Sequence, residues 1–267
     1  MNPLGIRQNP SSLNASHKLW RRMALIMGFV GVFLSSLSWG MDPLSEAENP
    51  DPYEDINRAI FEFNDSLDQM ILSPVARGYR RVTPDVAERG IGNVFSNLSE
   101  FNSAVNSILQ GKVDAALASA GRFAVNTTLG IAGLFDVASE MGLESRETDF
   151  GETLAAWGVP RGPYLMVPFF GPRTLRSGVG NVADIYLSPE AYIESVSGRN
   201  GLYALRTIDE RAALLDADAL LSGDRYVFLR DAYLQRRAAR VDGESTVGEF
   251  SDFGDDWEED EWGDDPL

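Results

Sequence analysis

Asp51-Pro52-Tyr53-Glu54-Asp55-Ile56-Asn57-Arg58-Ala59-Ile60-Phe61-Glu62-Phe63-Asn64 is the stretch on which the fold of this 267-residue chain turns. Apolar residues at Tyr53, Ile56, Ile60, Phe63, Leu67 and Met70 recur in steps of three and four, which places them on one face of a helix. Asp51 reads as the N-cap, Pro52 as the first helical position and Glu54 as the acid beside the unpaired amides. Pro74 reads as the stop, because its ring clashes with the preceding turn. Asn57, Asn64 and Gln69 lie close to the apolar stripe.

The same period continues outward. Thr83-Pro84-Asp85 starts a second helix running to Leu109, with Val94, Leu98, Phe101, Val105 and Ile108 at helical spacing. After Gly111 a third is rich in small residues: Ala115, Ala116, Ala118, Ser119, Ala120, Gly121 and Ala124. Phe123–Ala138 has Asp136 as its only charge and, at 16 residues with internal glycines, is too short to span a bilayer as one helix. Trp157–Pro172 interrupts regular structure with Gly158, Pro160, Gly162, Pro163, Pro168, Gly171 and Pro172, among which sit Tyr164, Leu165, Met166, Val167, Phe169 and Phe170. Helical pattern resumes over Thr174–Leu187, at Leu205, Ile208, Ala212, Leu215 and Ala219, and from Asp224 to about Arg240. Strand-like alternation is scarce. The expected fold is all-α, a ring-like or compact arrangement of amphipathic helices with long Pro/Gly-rich structured loops.

The chain holds 23 basic and 40 acidic residues, a net charge of −17, one histidine and no cysteine. Residues 1–40 carry Arg7, Lys18, Arg21 and Arg22 and no acid, followed by an apolar run from Met23 to Leu34 and small residues at Ser38 and Gly40. That is the pattern of a signal peptide cleaved after Gly40, with an uncleaved anchor over Met23–Trp39 as the alternative. Residues 41–50 read as a linker, 51–241 as the folded domain, and 242–267, with 12 acids and no base, as a disordered tail interleaving Phe250, Phe253, Trp257 and Trp262. The tail is solubilising filler or a short docking motif for a basic surface. With His17 in the leader, the exported body has neither His nor Cys, which excludes Ser–His–Asp and Cys–His nucleophiles, thiol redox chemistry and His/Cys metal sites. A net-acidic body also excludes a duplex nucleic-acid binder, and no cofactor is expected. Gly178-Val179-Gly180-Asn181-Val182-Ala183 fits a loose dinucleotide fingerprint, but no strand precedes it.

In order along residues 51–237, the chain resembles the MlaA (VacJ) family of outer-membrane phospholipid-transport proteins. The resemblance is carried by the opening helix quoted above, by Ile108-Leu109-Gln110-Gly111, by Arg122-Phe123-Ala124-Val125-Asn126-Thr127 and by Leu129-Gly130-Ile131-Ala132-Gly133-Leu134-Phe135-Asp136-Val137-Ala138. It is strongest at Asp149-Phe150-Gly151-Glu152-Thr153-Leu154 and Gly162-Pro163-Tyr164-Leu165-Met166-Val167-Pro168-Phe169-Phe170-Gly171-Pro172, with a weaker echo from Arg211 through Leu220-Leu221 to Arg230-Asp231-Ala232-Tyr233. The resemblance implies a non-enzymatic role: removing misplaced phospholipids from the outer leaflet of the outer membrane to maintain lipid asymmetry. It implies a helical ring on the periplasmic side of the outer membrane, associated with a trimeric porin and passing phospholipid to a periplasmic lipid carrier of an ABC transport system. A structural envelope adaptor that binds porins without handling lipid is the alternative.

Under that resemblance the expected lipid contacts are Ile56, Asn57, Ile60, Phe61, Phe63 and Asn64 on the first helix, Leu129, Ile131, Leu134 and Phe135 in the apolar run, and Tyr164, Leu165, Phe169 and Phe170 in the Pro/Gly segment. The first helix is then a wall both greasy and hydrogen-bonding, or else an ordinary core helix with peripheral amides. The apolar run is leaflet-inserted or buried, and the Pro/Gly segment is a rigid lip, a porin contact or packing under a loop. Arg225, Arg230, Arg236, Arg237 and Arg240 would give the last helix a basic end suited to lipid phosphates or a carboxylate-rich partner. Known members of the family carry an acylated cysteine after the signal; with no cysteine in this chain, anchoring must be by another route.

Overall fold

The computed structural model describes residues 51–216, 218 and 223–242; the leader, the 41–50 linker, Ala219, Leu220-Leu221 and the acidic tail beyond Asp242 lie outside the described residues. Helix α1 runs Glu54–Leu67, starting two residues after the sequence suggests: Tyr53 occupies the cap position without a capping side chain, and Pro52 sits in the preceding turn. Glu54 and Asp55 supply the negative charge that favours a helix start. Pro74 does not end the helix. A widened π-helical turn, Asp68–Leu72, leads directly into α2, Ser73–Val82, and Pro74 falls in its first turn. There the missing N–H and the ring are tolerated, which a regular α-helical turn through the same residue would not allow.

Helices α3 (Asp85–Leu109) and α4 (Val113–Thr128) form where the periodicity places them and pack on each other extensively. Short helices α5 (Val137–Glu140) and α6 (Phe150–Ala156) follow, then α7 (Leu175–Leu187), a 3-10 turn at Pro189–Tyr192, α8 (Val196–Ala213) and α9 (Arg225–Asp242). Helix α8 ends before Leu215, so the periodic pattern overruns it. Helix α7 opens on a reciprocal cap between Thr174 and Ser177. The glycine pattern at Gly178–Ala183 lies within α7 and serves packing: a Cβ on Gly180 would lie 2.3 Å from the Gly151 backbone nitrogen of α6. Trp157–Pro172 departs from the all-loop expectation, since Tyr164–Val167 (β1) pairs antiparallel with Gly171–Thr174 (β2). Strands of four residues between prolines are too short to show alternation.

The hairpin is held by amides. Asn57 donates to the Tyr164 carbonyl (3.1 Å) and accepts from the Met166 N–H (2.7 Å). Asn64, two turns on, donates to the Val167 carbonyl (3.0 Å) and accepts from the Phe169 N–H (2.9 Å). Behind them Tyr164, Met166, Tyr226 and Leu234 form the aromatic core, with Ile60 and Phe61 packed against it. Asn57 is 2% exposed while Ile56 is 61% exposed. Much of the sequence stripe (Tyr53, Ile56, Phe63 and Met70) therefore faces outward, while Asn57 faces inward.

That inversion recurs. Helix α3 buries Asn97, Glu100, Ser103, Asn106 and Ser107 and exposes Phe101 and Ile108; α4 buries Ser119, Arg122 and Asn126 and exposes Val113 and Leu117. Most arginines of α9 also turn inward rather than forming a basic end. Arg225 pairs with Asp65, Arg237 with Asp149 and Glu152, and Arg240 with Glu152, leaving Arg236 exposed.

Asp184 of α7 joins three elements, accepting from the Phe150 N–H (3.0 Å) and from Asn106 Nδ2 (2.9 Å). Burial pushes its carboxyl up to about 7, from an ordinary 3.8, against the pull of those hydrogen bonds; Asp149 adds to the rise and Arg237 opposes it. A folded-state value above the unfolded one stabilises most below the unfolded value, and that contribution is lost as the pH rises through the folded one. The contribution of Asp184 to the urea midpoint should therefore fall from about pH 4 to about pH 7, and Asp184→Asn should flatten that slope. Asn57→Ala leaves the Met166 N–H and Tyr164 carbonyl unpaired in the interior, and should cost about 2–4 kcal/mol in equilibrium urea unfolding.

Candidate functional site

Beyond Thr128 the chain closes a tight loop over residues 129–136. The Ala132, Gly133 and Phe135 N–H groups bond back to the carbonyls of Thr127 (3.0 Å), Asn126 (2.9 Å) and Gly130 (3.0 Å). Ile131 and Ala132 are both left-handed, at φ 53° and 56°, a region costly for a β-branched side chain. Leu129, Ile131, Leu134 and Phe135 all emerge exposed.

A polar clasp beneath holds it. Arg122 of α4 donates from Nε to Glu100 of α3 (2.6 Å), from Nη2 to both Asp136 oxygens (3.1 and 3.0 Å), and from Nη1 to Ser139 Oγ (3.0 Å) and the Leu143 carbonyl. Asn126 donates to Asp136 (2.9 Å) and accepts from the Ala138 N–H (2.8 Å). Burial opposes the charge on Asp136, yet hydrogen bonds from Ser139, Asn126 and Arg122 hold its carboxyl down at about 2. Sequence reading found Asp136 as the lone charge of an apolar run but had no local signal for Glu100, 36 residues away, as part of the same clasp.

Next to the loop lies a cavity of about 610 Å³ among α2, α3 and α8, lined by Arg80, Asp85, Glu88, Arg89, Asn93 and Asp209. Asn93 belongs to both features, because its Nδ2 donates to the Leu134 carbonyl (3.0 Å). Arg80 pairs with Asp216 (3.1 Å), and Tyr79 donates its hydroxyl to Asp209 (2.8 Å). Burial, reinforced by that carboxylate, pushes the Tyr79 phenol up, so it remains a donor. No lining residue was expected from sequence. These residues come from helices far apart in the chain and carry no shared motif.

The expected contact residues divide. Ile56, Phe63, Phe169 and Phe170 are exposed; Phe63 meets Phe169 edge-on at 5.5 Å, so α1 and the hairpin tip share one apolar surface. Leu129, Ile131, Leu134 and Phe135 form the loop surface. Ile60, Phe61 and Leu165 are half-buried, the first two against the core. Tyr164 and Asn57 are buried, and Asn64 is committed to the hairpin backbone, so none of these three offers a lipid-facing surface here. No described helix is long and apolar enough to cross a membrane.

The described residues form a helical protein that buries many polar side chains, exposes two apolar surfaces and carries a charged cavity beside one of them. The chain belongs to the MlaA family: the model described as MlaA lipoprotein matches residues 49–240. It is 40% identical over 195 residues to the intermembrane phospholipid transport system lipoprotein MlaA of Escherichia coli K12, covering 70% of this chain and 76% of that one. The Haemophilus influenzae protein of the same name is 31% identical over 224 residues, covering 80% and 88%. An uncharacterised protein of Rickettsia typhi is 40% identical over 195 residues, covering 72% and 78%. A solved chain, from a study of the structural basis for maintenance of bacterial outer membrane lipid asymmetry, superposes with a TM-score of 0.64 at 40% identity, covering 72% of this chain and 98% of that one.

A Cβ on Gly130 would lie 2.2 Å from the Phe135 carbonyl oxygen and 2.5 Å from that of Asn126. Gly130→Ala should therefore destabilise by about 1–3 kcal/mol in urea unfolding and make the loop cleavable by limited proteolysis. Leu129→Ala, at the neighbouring exposed position, should change stability by less than about 0.5 kcal/mol.

Proposed function

We propose that this protein is a non-enzymatic component of an intermembrane phospholipid transport system. It removes misplaced phospholipids from the outer leaflet of the outer membrane and so maintains lipid asymmetry. The observation that carries the proposal is the Asn93–Leu134 hydrogen bond, which fixes an exposed apolar loop at the edge of a charged cavity. Two acyl chains of about fifteen methylenes each resist water by roughly 25 kcal/mol, so a carrier must keep them in lipid or against apolar wall. The phosphate needs a separate polar path. Loop and cavity offer those two surfaces side by side, and the named relatives belong to such a transport system.

In this reading the protein sits at the periplasmic side of the outer membrane, held by its exposed apolar surfaces rather than an acylated cysteine. A trimeric porin is its membrane partner and a periplasmic lipid carrier its acceptor. The apolar surface shared by Phe63 and Phe169 favours one rival, an envelope adaptor that uses that surface for protein contact alone.

A photo-reactive residue at Ile131 or Phe169, irradiated in living cells, should yield phospholipid adducts by mass spectrometry. Protein adducts alone at both positions would favour the adaptor. Deleting the gene should make cells detergent-sensitive and raise outer-leaflet phospholipid, and Ile131→Asp should reproduce both effects; an unchanged lipid distribution in the deletion strain would overturn the transport reading.

A further inference from the structure

The cavity's charges are unequally committed. Arg80 is closed by Asp216, which does not line the cavity. Arg89 spends its Nε on the Asp85 carbonyl (3.3 Å), and among the described residues its two terminal nitrogens take no hydrogen bond. Asp209, nine-tenths buried, takes the Tyr79 hydroxyl on Oδ1, while Oδ2 faces Gly92, where even an added Cβ would stand 3.6 Å away. Glu88 and Asp85 lie within electrostatic reach of Arg80 but make no side-chain ion pair among the described residues. Among the described residues, one cation without an ion-pair partner thus shares the lining with three carboxylates.

That balance suits few phospholipids. A headgroup whose only charge is its phosphate would meet Arg89 and then three carboxylates of its own sign. A headgroup carrying a phosphate and, one short linker away, a primary ammonium would satisfy both signs, and its three N–H donors match three carboxylates. A quaternary ammonium has the charge but no donor. The volume lies within the range of small-molecule sites and the lining is mostly charged, so the cavity suits a headgroup while the acyl chains remain outside, beside the apolar loop.

Resting on the transport reading above, we infer that this cavity selects zwitterionic phospholipids with a primary amine, the phosphatidylethanolamine class, with Arg89 taking the phosphate and Glu88, Asp85 and Asp209 the ammonium. Selection works by penalising the wrong partner as much as by rewarding the right one.

The test uses the full chain incubated with vesicles of equal phosphatidylethanolamine, phosphatidylglycerol and phosphatidylcholine, followed by recovery of the protein and mass spectrometry of the bound lipid. The wild type should hold the ethanolamine lipid over each of the others by about fivefold or more. Glu88→Gln and Asp85→Asn, each checked for folding by circular dichroism, should bring the ratio towards one by lowering the recovered ethanolamine lipid while phosphatidylglycerol stays level or rises. Arg89→Gln should lower all three. Equal recovery of the three lipids by the wild type would overturn the inference and leave the transport reading standing. So would a preference unchanged in both acidic variants. No recovered lipid, together with no lipid adduct at Ile131, would overturn the transport reading itself.

Discussion

Arg122 is the constraint on which much else depends. Its guanidinium and the Glu100 carboxylate are almost fully buried, at 5% and 3% side-chain exposure, between α3 and α4. Buried ion pairs return little net stability, because taking both charges out of water costs nearly what their attraction repays. They are strict about geometry, however, since losing one partner strands the other. Similar clasps recur: Arg237 on Asp149 and Glu152, Arg206 on Glu190 and the Phe95 carbonyl, and Arg211 on Asp68 and Asp218. Most of these join elements far apart in the chain. With many large apolar side chains outside, much of the interior's cohesion is directional and polar.

The two apolar surfaces are positioned by the same device. A side-chain amide reaches across from a helix to the backbone of the segment it holds, as Asn57 and Asn64 do for the hairpin and Asn93 does for the loop. The apolar groups contribute little to their own placement, which leaves them available to another phase.

Helix positions were legible because the 3.6-residue period survives whichever way a helix faces. The direction of facing was not. In Tyr53–Met70 the stripe was visible, but a period cannot say whether it looks at a core or at lipid; Asn57, set beside the stripe, turned out to mark the inner face. Pro74 misled because a π-helical turn shifts the bonding pattern without leaving a sequence trace. The loop at Leu129–Phe135 was legible as part of a glycine-interrupted apolar run with one charge, and its expected role came from the family resemblance; its clasp and the adjoining cavity needed coordinates, being assembled from Glu100, Arg122, Arg80 and Asp209 on different helices.

Ile131 in its left-handed turn carries a further consequence, for protein engineering. A glycine there would relieve backbone strain and remove an exposed apolar side chain, so selection for thermal stability or soluble yield would favour it. The same selection would favour polar residues at Leu129, Phe135 and Phe169. Variants improved by those criteria would drift towards an ordinary water-soluble protein. Under the proposed transport role, stability in solution is a poor guide to fitness for this fold, and any attempt to improve it should be scored in the presence of a membrane.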